Sequence, residues 1–329
     1  MSFKICSIGC GGMAQAGHGP AFRKYAQEHP DTILAACCDV DASRAEKFRN
    51  DFGFARAYTG WEEMVRTEKP DAVCLIVPVT LTAELTLEML RRKIPVILEK
   101  PPGMDREQTL RMIEEARRTG TPNQVAFNRR YMPMIQRFSE LRQGRTANFW
   151  QYDFFRVNRR DPDFSTTCIH GIDTARFLAG SPYRRVEFTY RPIPGAQDWV
   201  ANITLDCEFQ NGATGRITFA PMTGIVAERC TMHGTNELIS CALPYHSSAK
   251  LVDGSGKIFL AQNGVILLEE NTPTEEELFV SNGFYGENAA FFDCIQAGEC
   301  PKGDILSGLQ SVEIADCIRR RKPRYESAL

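Results

Sequence analysis

Five short apolar runs, each separated from the next by a longer stretch, dominate the first 128 residues and restrict the folds open to them. The runs are FKICSIG (3–9), TILAACCDV (32–40), DAVCLIVP (71–78), IPVILEKP (94–101) and NQVAFN (123–128), and helical patterning lies between them at about 13–27, 42–52, 80–92 and 105–119. Strands that are apolar on both faces must be covered on both, and helical crossovers join parallel strands. The pattern predicts a doubly wound parallel α/β domain over residues 1–125.

From about residue 145 the texture changes to longer alternating segments, TANFWQYDFFRV, RVEFTYR, WVANITLDCEF, ATGRITFAP and VAERCTMHGT, with turn signals such as QNG and VDGSG. Alternation between polar turns predicts a mostly antiparallel sheet with one covered face. Helices are expected around His170, at about 285–297 and at about 305–321, the last capped by Asp304. Residues 126–329 therefore form a second domain of α+β type, and two domains suit a chain of 329 residues.

Thirty-nine basic side chains nearly balance forty-one acidic ones, so no global field favours nucleic acid or an anionic membrane, and a small molecule is the expected partner. The twelve cysteines are scattered through apolar runs such as LAACCDV, with no CxxC pair. That is the pattern of reduced, buried thiols rather than of a disulfide frame or a metal knuckle. No metal site is expected. No run has the length of a bilayer span and the N-terminus enters a strand pattern at once, so the expectation is a soluble cytoplasmic protein.

The segment SIGCGGMAQAGHGPAF follows the first strand and opens the first helix, with Gly9, Gly11 and Ala14 filling a GxGxxG/A frame. Such a frame gives a tight turn, close backbone approach to a pyrophosphate, and close packing of helix on strand. Asp39, at the end of the second strand, stands where an acid accepts hydrogen bonds from an adenosine ribose, which favours NAD over NADP. Arg44, one helical turn on, offers a route to NADP. His18 in the same helix reads as structural or as a minor neighbour of the phosphates.

A second motif, VILEKPPGMD, ends the fifth strand with Glu99, Lys100 and Pro101. Carboxyl ends of strands in open α/β sheets face the ligand crevice, and a lysine there can hydrogen-bond a substrate hydroxyl and assist proton transfer. The two prolines hold its direction. The GxGGMA turn with Gly12 and Met13, Asp39, the Val77-Pro78 pair, the Glu-Lys-Pro motif and FNRRYMP at 127–133 together resemble the Gfo/Idh/MocA family, over nearly the whole chain. The family is named for glucose–fructose oxidoreductase, inositol dehydrogenase and a rhizopine catabolism protein. The resemblance implies a Rossmann domain, which would hold the dinucleotide through Gly9, Gly11, Gly12, Met13, Ala14, Asp39, Pro78 and Glu99. It also implies an open-faced second sheet that often makes the oligomer contact, hence a homodimer or homotetramer, and Lys100 as a catalytic residue.

The family carries Asp-x-Gly-x-His-x-x-Asp on a helix of the second domain. Here the register reads Thr166, Thr167, Cys168, Ile169, His170, Gly171, Ile172, Asp173, so His170 and Asp173 match while Thr166 replaces the aspartate and Cys168 the glycine. At 100° per residue Cys168, Ile172, Ala175 and Ala179 form one apolar stripe, and His170 lies off it. By the resemblance His170 is the acid/base and Thr166 and Asp173 are substrate contacts; by local sequence alone His170 could equally be a core histidine. Arg156, Arg159 and Arg160 either grip a substrate anion or form a solvated basic loop, with Arg159 taken as a substrate contact. Arg129, after the sixth strand, borders the crevice. Tyr285 and Asn288 are packing residues by default. The function implied is NAD(P)-dependent hydride transfer to or from a sugar, cyclitol or related alcohol. An enzyme using NAD transiently for elimination or glycoside cleavage, and a non-enzymatic sugar sensor, remain alternatives because threonine cannot carry the missing charge.

Overall fold

The computed structural model describes residues 2–244, 256–272 and 277–327. Its first strands are β1 (Phe3–Ile8), β2 (Thr32–Cys38), β3 (Arg56–Tyr58), β4 (Ala72–Leu75), β5 (Val96–Glu99) and β6 (Asn123–Ala126). They form one six-stranded parallel sheet in the order β3-β2-β1-β4-β5-β6, the Rossmann order. The crossover helices are α1 (Gly19–Glu28), α2 (Ala42–Phe52), α3 (Trp61–Glu68), α4 (Val79–Arg91) and α5 (Arg106–Thr119). Two begin on an aspartate that accepts backbone N–H groups: Asp41 those of Ser43 and Arg44, and Asp105 that of Gln108. The short strand β3 and helix α3 have too few apolar positions to declare themselves in the sequence. The first helix differs from expectation at its start, where Ala14–His18 form a π-helical turn before α1. This turn places Gly17 against the Phe284 ring, where a Cβ would stand 2.8 Å from ring carbons.

The second sheet is built from β7 (Phe149–Phe155), β8 (Tyr183–Pro192), β9 (Ala201–Phe209), β10 (Thr214–Ala220), β11 (Ala227–His233), β12 (Glu237–Ala242), β13 (Lys257–Gln262), β14 (Val265–Asn271) and β15 (Arg324–Glu326). Its order is β14-β13-β12-β11-β7-β10-β9-β8-β15, antiparallel throughout except for β7 beside β10. Helix α6 (Pro133–Arg142) packs on β12 and β13, and α7 (Ser165–Ala179) on β7 and β10. The apolar stripe expected of α7 is buried at Cys168, Ile172, Ala175 and Ala179. Gly171 lets the helix come close, since a Cβ there would lie 2.8 Å from the Phe219 ring and 3.3 Å from that of Tyr152. The other face of the sheet carries exposed Phe149, Gln151, Arg216 and Arg229. Most of the VDGSG turn lies outside the described residues.

The chain then adds α8 (Leu278–Ser281), α9 (Phe284–Ala297) and α10 (Ile305–Arg319). Here the expected boundaries need correction. One compact unit is Met1–Tyr131 with Leu278–Val312, and the other is Met132–Glu277 with Glu313–Leu329. Helix α9 belongs to the first unit because Phe291 and Phe292 are fully buried there, with the Phe292 ring 5.0 Å from Tyr25 of α1 and 6.0 Å from Phe3 of β1. The Tyr25 hydroxyl donates to Asp293 at 2.6 Å. Nothing local to residues 278–312 could announce a partner more than 250 residues earlier. The expected cap of α10 is present, with Ser307 N–H donating to Asp304 at 2.8 Å. Ten of the twelve thiols are buried. Among the described residues no helix is long and apolar enough to cross a membrane.

Candidate functional site

In the first unit the glycine turn leaves β1 beside the end of β4. Gly9 has φ +97°, and a Cβ on it would meet the Ile76 carbonyl oxygen at 2.0 Å, so only glycine fits. Gly11 and Gly12 have nothing within 4 Å of where a Cβ would be, Met13 is exposed, and Ala14 is buried against the sheet. Space above a backbone turn that opens a helix is what a pyrophosphate requires, so these residues fit the dinucleotide. Asp39 is tied into the same turn, its carboxylate accepting from Cys10 N–H at 2.9 Å and Asp41 N–H at 3.0 Å. Arg44 also binds it, at 2.9 Å, and offsets its charge. Pro78 begins α4 at the end of the neighbouring strand.

Lys100 follows β5, the next strand of the sheet, with Pro101 and Pro102 buried behind it. Pro102 is 3.8 Å from the Cβ position of Gly308 in α10, and this packing holds the turn. The Glu99 side chain is 12% exposed. Its Oε1 accepts from His18 Nε2 at 2.9 Å and its Oε2 from the Lys100 N–H at 3.2 Å. Burial pushes its pKa up, but the His18 hydrogen bond and the nearby Lys100 charge bring it below the ordinary carboxylate value. Glu99, expected to touch the dinucleotide, is also tied into the unit by these two hydrogen bonds. Glu287 of α9 is fully enclosed, neither carboxyl oxygen has a protein partner, and burial, followed by the charge of Glu99, raises its pKa well above the usual range. Arg129 lies on a short 3₁₀ turn after β6 and donates to Asn128 at 3.4 Å.

The second unit holds the other expected site residues. His170, Thr166 and Thr167 occupy the partly accessible side of α7, one turn apart. Arg159 reaches that side, donating to Thr167 Oγ1 at 3.3 Å and to Asp161 at 2.8 Å. Asp173 needs correction as a substrate contact. It is only 1% exposed and lies 3.8 Å from Arg176, so it supports the helix from inside. Arg156 is corrected too: it is buried and paired with Glu228, which also accepts from Tyr152 at 2.8 Å. Its guanidinium lies over the Phe154 ring.

For two residues the sequence offered little beyond a structural role, and not their partners. His18 is a buried partner of Glu99, and Asn288, expected to be packing, donates to His18 Nδ1 at 3.0 Å. The available signal was the adjacent polar pair Glu287-Asn288 inside the apolar GFYGENAAFFDC helix.

A model of the oxidoreductase family with an NAD-binding Rossmann fold, Gfo/Idh/MocA, matches residues 3–127. Over 168 residues the chain is 27% identical to inositol 2-dehydrogenase of Corynebacterium glutamicum, covering 48% of this chain and 49% of that one. The match to myo-inositol 2-dehydrogenase of Thermotoga maritima is similar, 26% over 169 residues, covering 47% and 50%. The chain thus spans about half the length of these two relatives. Among solved structures, a dehydrogenase from Chromobacterium violaceum superposes with a TM-score of 0.83 at 19% identity, covering 96% and 94% of the two chains. That likeness is one of fold. With the Rossmann strand order, the glycine turn and the Glu-Lys-Pro turn already in place, the match over residues 3–127 shows that this part of the chain is an NAD-binding Rossmann domain similar to those of the Gfo/Idh/MocA oxidoreductases.

Proposed function

We propose that this protein transfers hydride between the carbinol carbon of a sugar, cyclitol or related alcohol and a nicotinamide dinucleotide. The observation that carries this reading is Lys100, set at the carboxyl end of a strand in the same sheet as the dinucleotide cradle and braced by Glu99 and two buried prolines. The names of the two inositol dehydrogenases support the alcohol class. When bound, the dinucleotide supplies the hydride acceptor. Lys100 donates a hydrogen bond to the substrate oxygen and polarises it, and His170 takes the hydroxyl proton, a task suited to an imidazole. Thr166 and Arg159, on the same side of α7, orient hydroxyl groups of the substrate. NAD is preferred to NADP, because Asp39 accepts from ribose hydroxyls and opposes a phosphate.

A screen of sugars, cyclitols and uronic acids for NADH formation tests the proposal. Oxidation of one of them to a ketone or lactone is the expected result. A cleaved or unsaturated product would point instead to transient use of NAD, and tight binding without turnover to a sensor. We also propose a homo-oligomer assembled through the uncovered face of the second sheet, on which Phe149 lies exposed among charged side chains. Sedimentation velocity showing a monomer at micromolar concentration would refute that assembly.

A further inference from the structure

We infer that Asn288 and His18 form a hydrogen-bonded chain that fixes the Glu99 carboxylate in one orientation next to Lys100, which makes Asn288, His18 and Glu99 positioning residues for that lysine. The inference deepens the proposed role of Lys100 and rests on it. All four residues belong to the first unit.

The direction of every proton in the chain follows from one amide. Asn288 Nδ2 lies 2.8 Å from the Phe284 carbonyl oxygen, which can only accept, so this atom is the amide nitrogen and a donor. The same nitrogen lies 3.0 Å from His18 Nδ1, which must then accept. An imidazole that accepts at Nδ1 carries its proton on Nε2, and Nε2 points at Glu99 Oε1, 2.9 Å away. The other carboxylate oxygen takes the backbone N–H of Lys100. The lysine's own peptide is thereby tied to an anion whose rotation is blocked.

The fold is shaped around this chain. Its π-helical turn, Ala14–His18, ends on His18, whose side chain is 2% exposed. The Phe284 ring packs edge-on against the imidazole, with centroids 5.3 Å apart, and Gly17 leaves room for that ring. His18 and Asn288 are buried and the Glu99 side chain is only 12% exposed, so solvent competes little for these hydrogen bonds. Glu287, adjacent to Asn288, adds an enclosed carboxyl close enough to Glu99 and Lys100 for their charges to act on it. Any buried imidazole needs partners at both nitrogens; what ties this one to the lysine is that its acceptor, Glu99, also takes the Lys100 N–H.

Long-range ¹H–¹⁵N spectra of the full chain labelled with ¹⁵N-histidine test the chain without any substrate, the His18 signals being those lost in His18→Gln. A protonated Nε2 and an unprotonated Nδ1 near neutral pH are expected. A proton on Nδ1, or on both nitrogens, overturns the inference. With ¹⁵N-lysine, the Lys100 signal, identified by its loss in Lys100→Met, is followed through its titration in the field of Glu99, Glu287 and Arg129. Glu99→Gln should lower the midpoint, and Asn288→Leu should lower it by less. A midpoint unmoved in both variants overturns the inference. On an alcohol found by the screen, Asn288→Leu should lower kcat about tenfold through misplacement, leaving KM and dinucleotide affinity unchanged. A lower melting temperature with unchanged kcat would make Asn288 a packing residue. If no alcohol is oxidised, the hydride-transfer reading fails, while both spectra still decide the chain.

Discussion

Strand β4 of the first sheet is buried at all four of its residues, whereas β9 of the second alternates buried and accessible positions along nine. A parallel strand covered on both faces has no side chain to spare for chemistry except where it ends, and the residues of interest in the first unit sit there: Gly9 after β1, Asp39 after β2, Glu99 and Lys100 at the end of β5. The open sheet spends one face on α7, and its expected residues come from that helix and the loop before it. Polar groups inside the two units differ in the same way. Beside Lys100 a histidine, an amide and two carboxyl groups lie together, but in the second unit the buried pair Arg156–Glu228 is an internal tie, neither the anion grip nor the solvated loop that the sequence left open for Arg156.

The largest effects should break this comparison at its chemistry. Lys100→Met and His170→Ala should each lower turnover by about two to four orders of magnitude, the scale of general acid–base catalysis, with dinucleotide binding by fluorescence nearly unchanged. If His170→Ala keeps its rate and loses only melting temperature, the second unit contributes no acid/base and the two sheets differ more than proposed.

Next comes the structural tie. Arg156→Ala strands the Glu228 carboxylate in the interior and should destabilise the protein by about 3–5 kcal/mol in denaturant titrations. Arg156→Met combined with Glu228→Gln should recover most of that loss, because no unpaired charge remains buried. An equal loss in the double variant would assign the effect to packing over Phe154 instead.

The enclosed acid of the first unit gives a smaller effect with a defined sign. Glu287 has its folded-state pKa raised by burial, so between the ordinary carboxylate value and that raised value the folded protein binds one proton more than the unfolded chain. Its contribution is fully present below the ordinary value and is lost as pH rises, by about 1.4 kcal/mol per pH unit. Glu287→Gln should remove that slope, giving no gain near pH 4 and a growing gain toward neutrality. Unfolding measured at several pH values checks it, and a pH-independent difference would place the carboxyl in contact with a partner that stabilises its charge.

The smallest effect concerns Arg44, whose half-exposed guanidinium offsets Asp39. Arg44→Ala should increase the preference for NAD over NADP by about fivefold or less, the equivalent of about 1 kcal/mol. Titration of both dinucleotides reads it out. A preference that falls would make Arg44 a ribose contact rather than the counter-charge of Asp39.

What could be read from the chain alone was whatever its local pattern repeats. The alternation of apolar runs and amphipathic stretches determined the Rossmann sheet, the positions of Gly9 and Gly11 determined the turn, and the stripe through Cys168, Ile172 and Ala175 determined which side of α7 is buried. Periods of two and of 3.6 residues are properties of short windows, and burial enforces them. Tertiary structure alone decided which distant segment completes each pattern. Helix α9 was legible as a helix but not as a member of the first unit, because the pockets for Phe291 and Phe292 are made by residues near the N-terminus. His18 was visible as a histidine, yet its tautomer depends on an amide 270 residues later. Arg156 looked free to bind an anion until folding brought Glu228 to it. A polar side chain carries no local sign of its partner, since the hydrogen bond that defines its role exists only once the interior has excluded water.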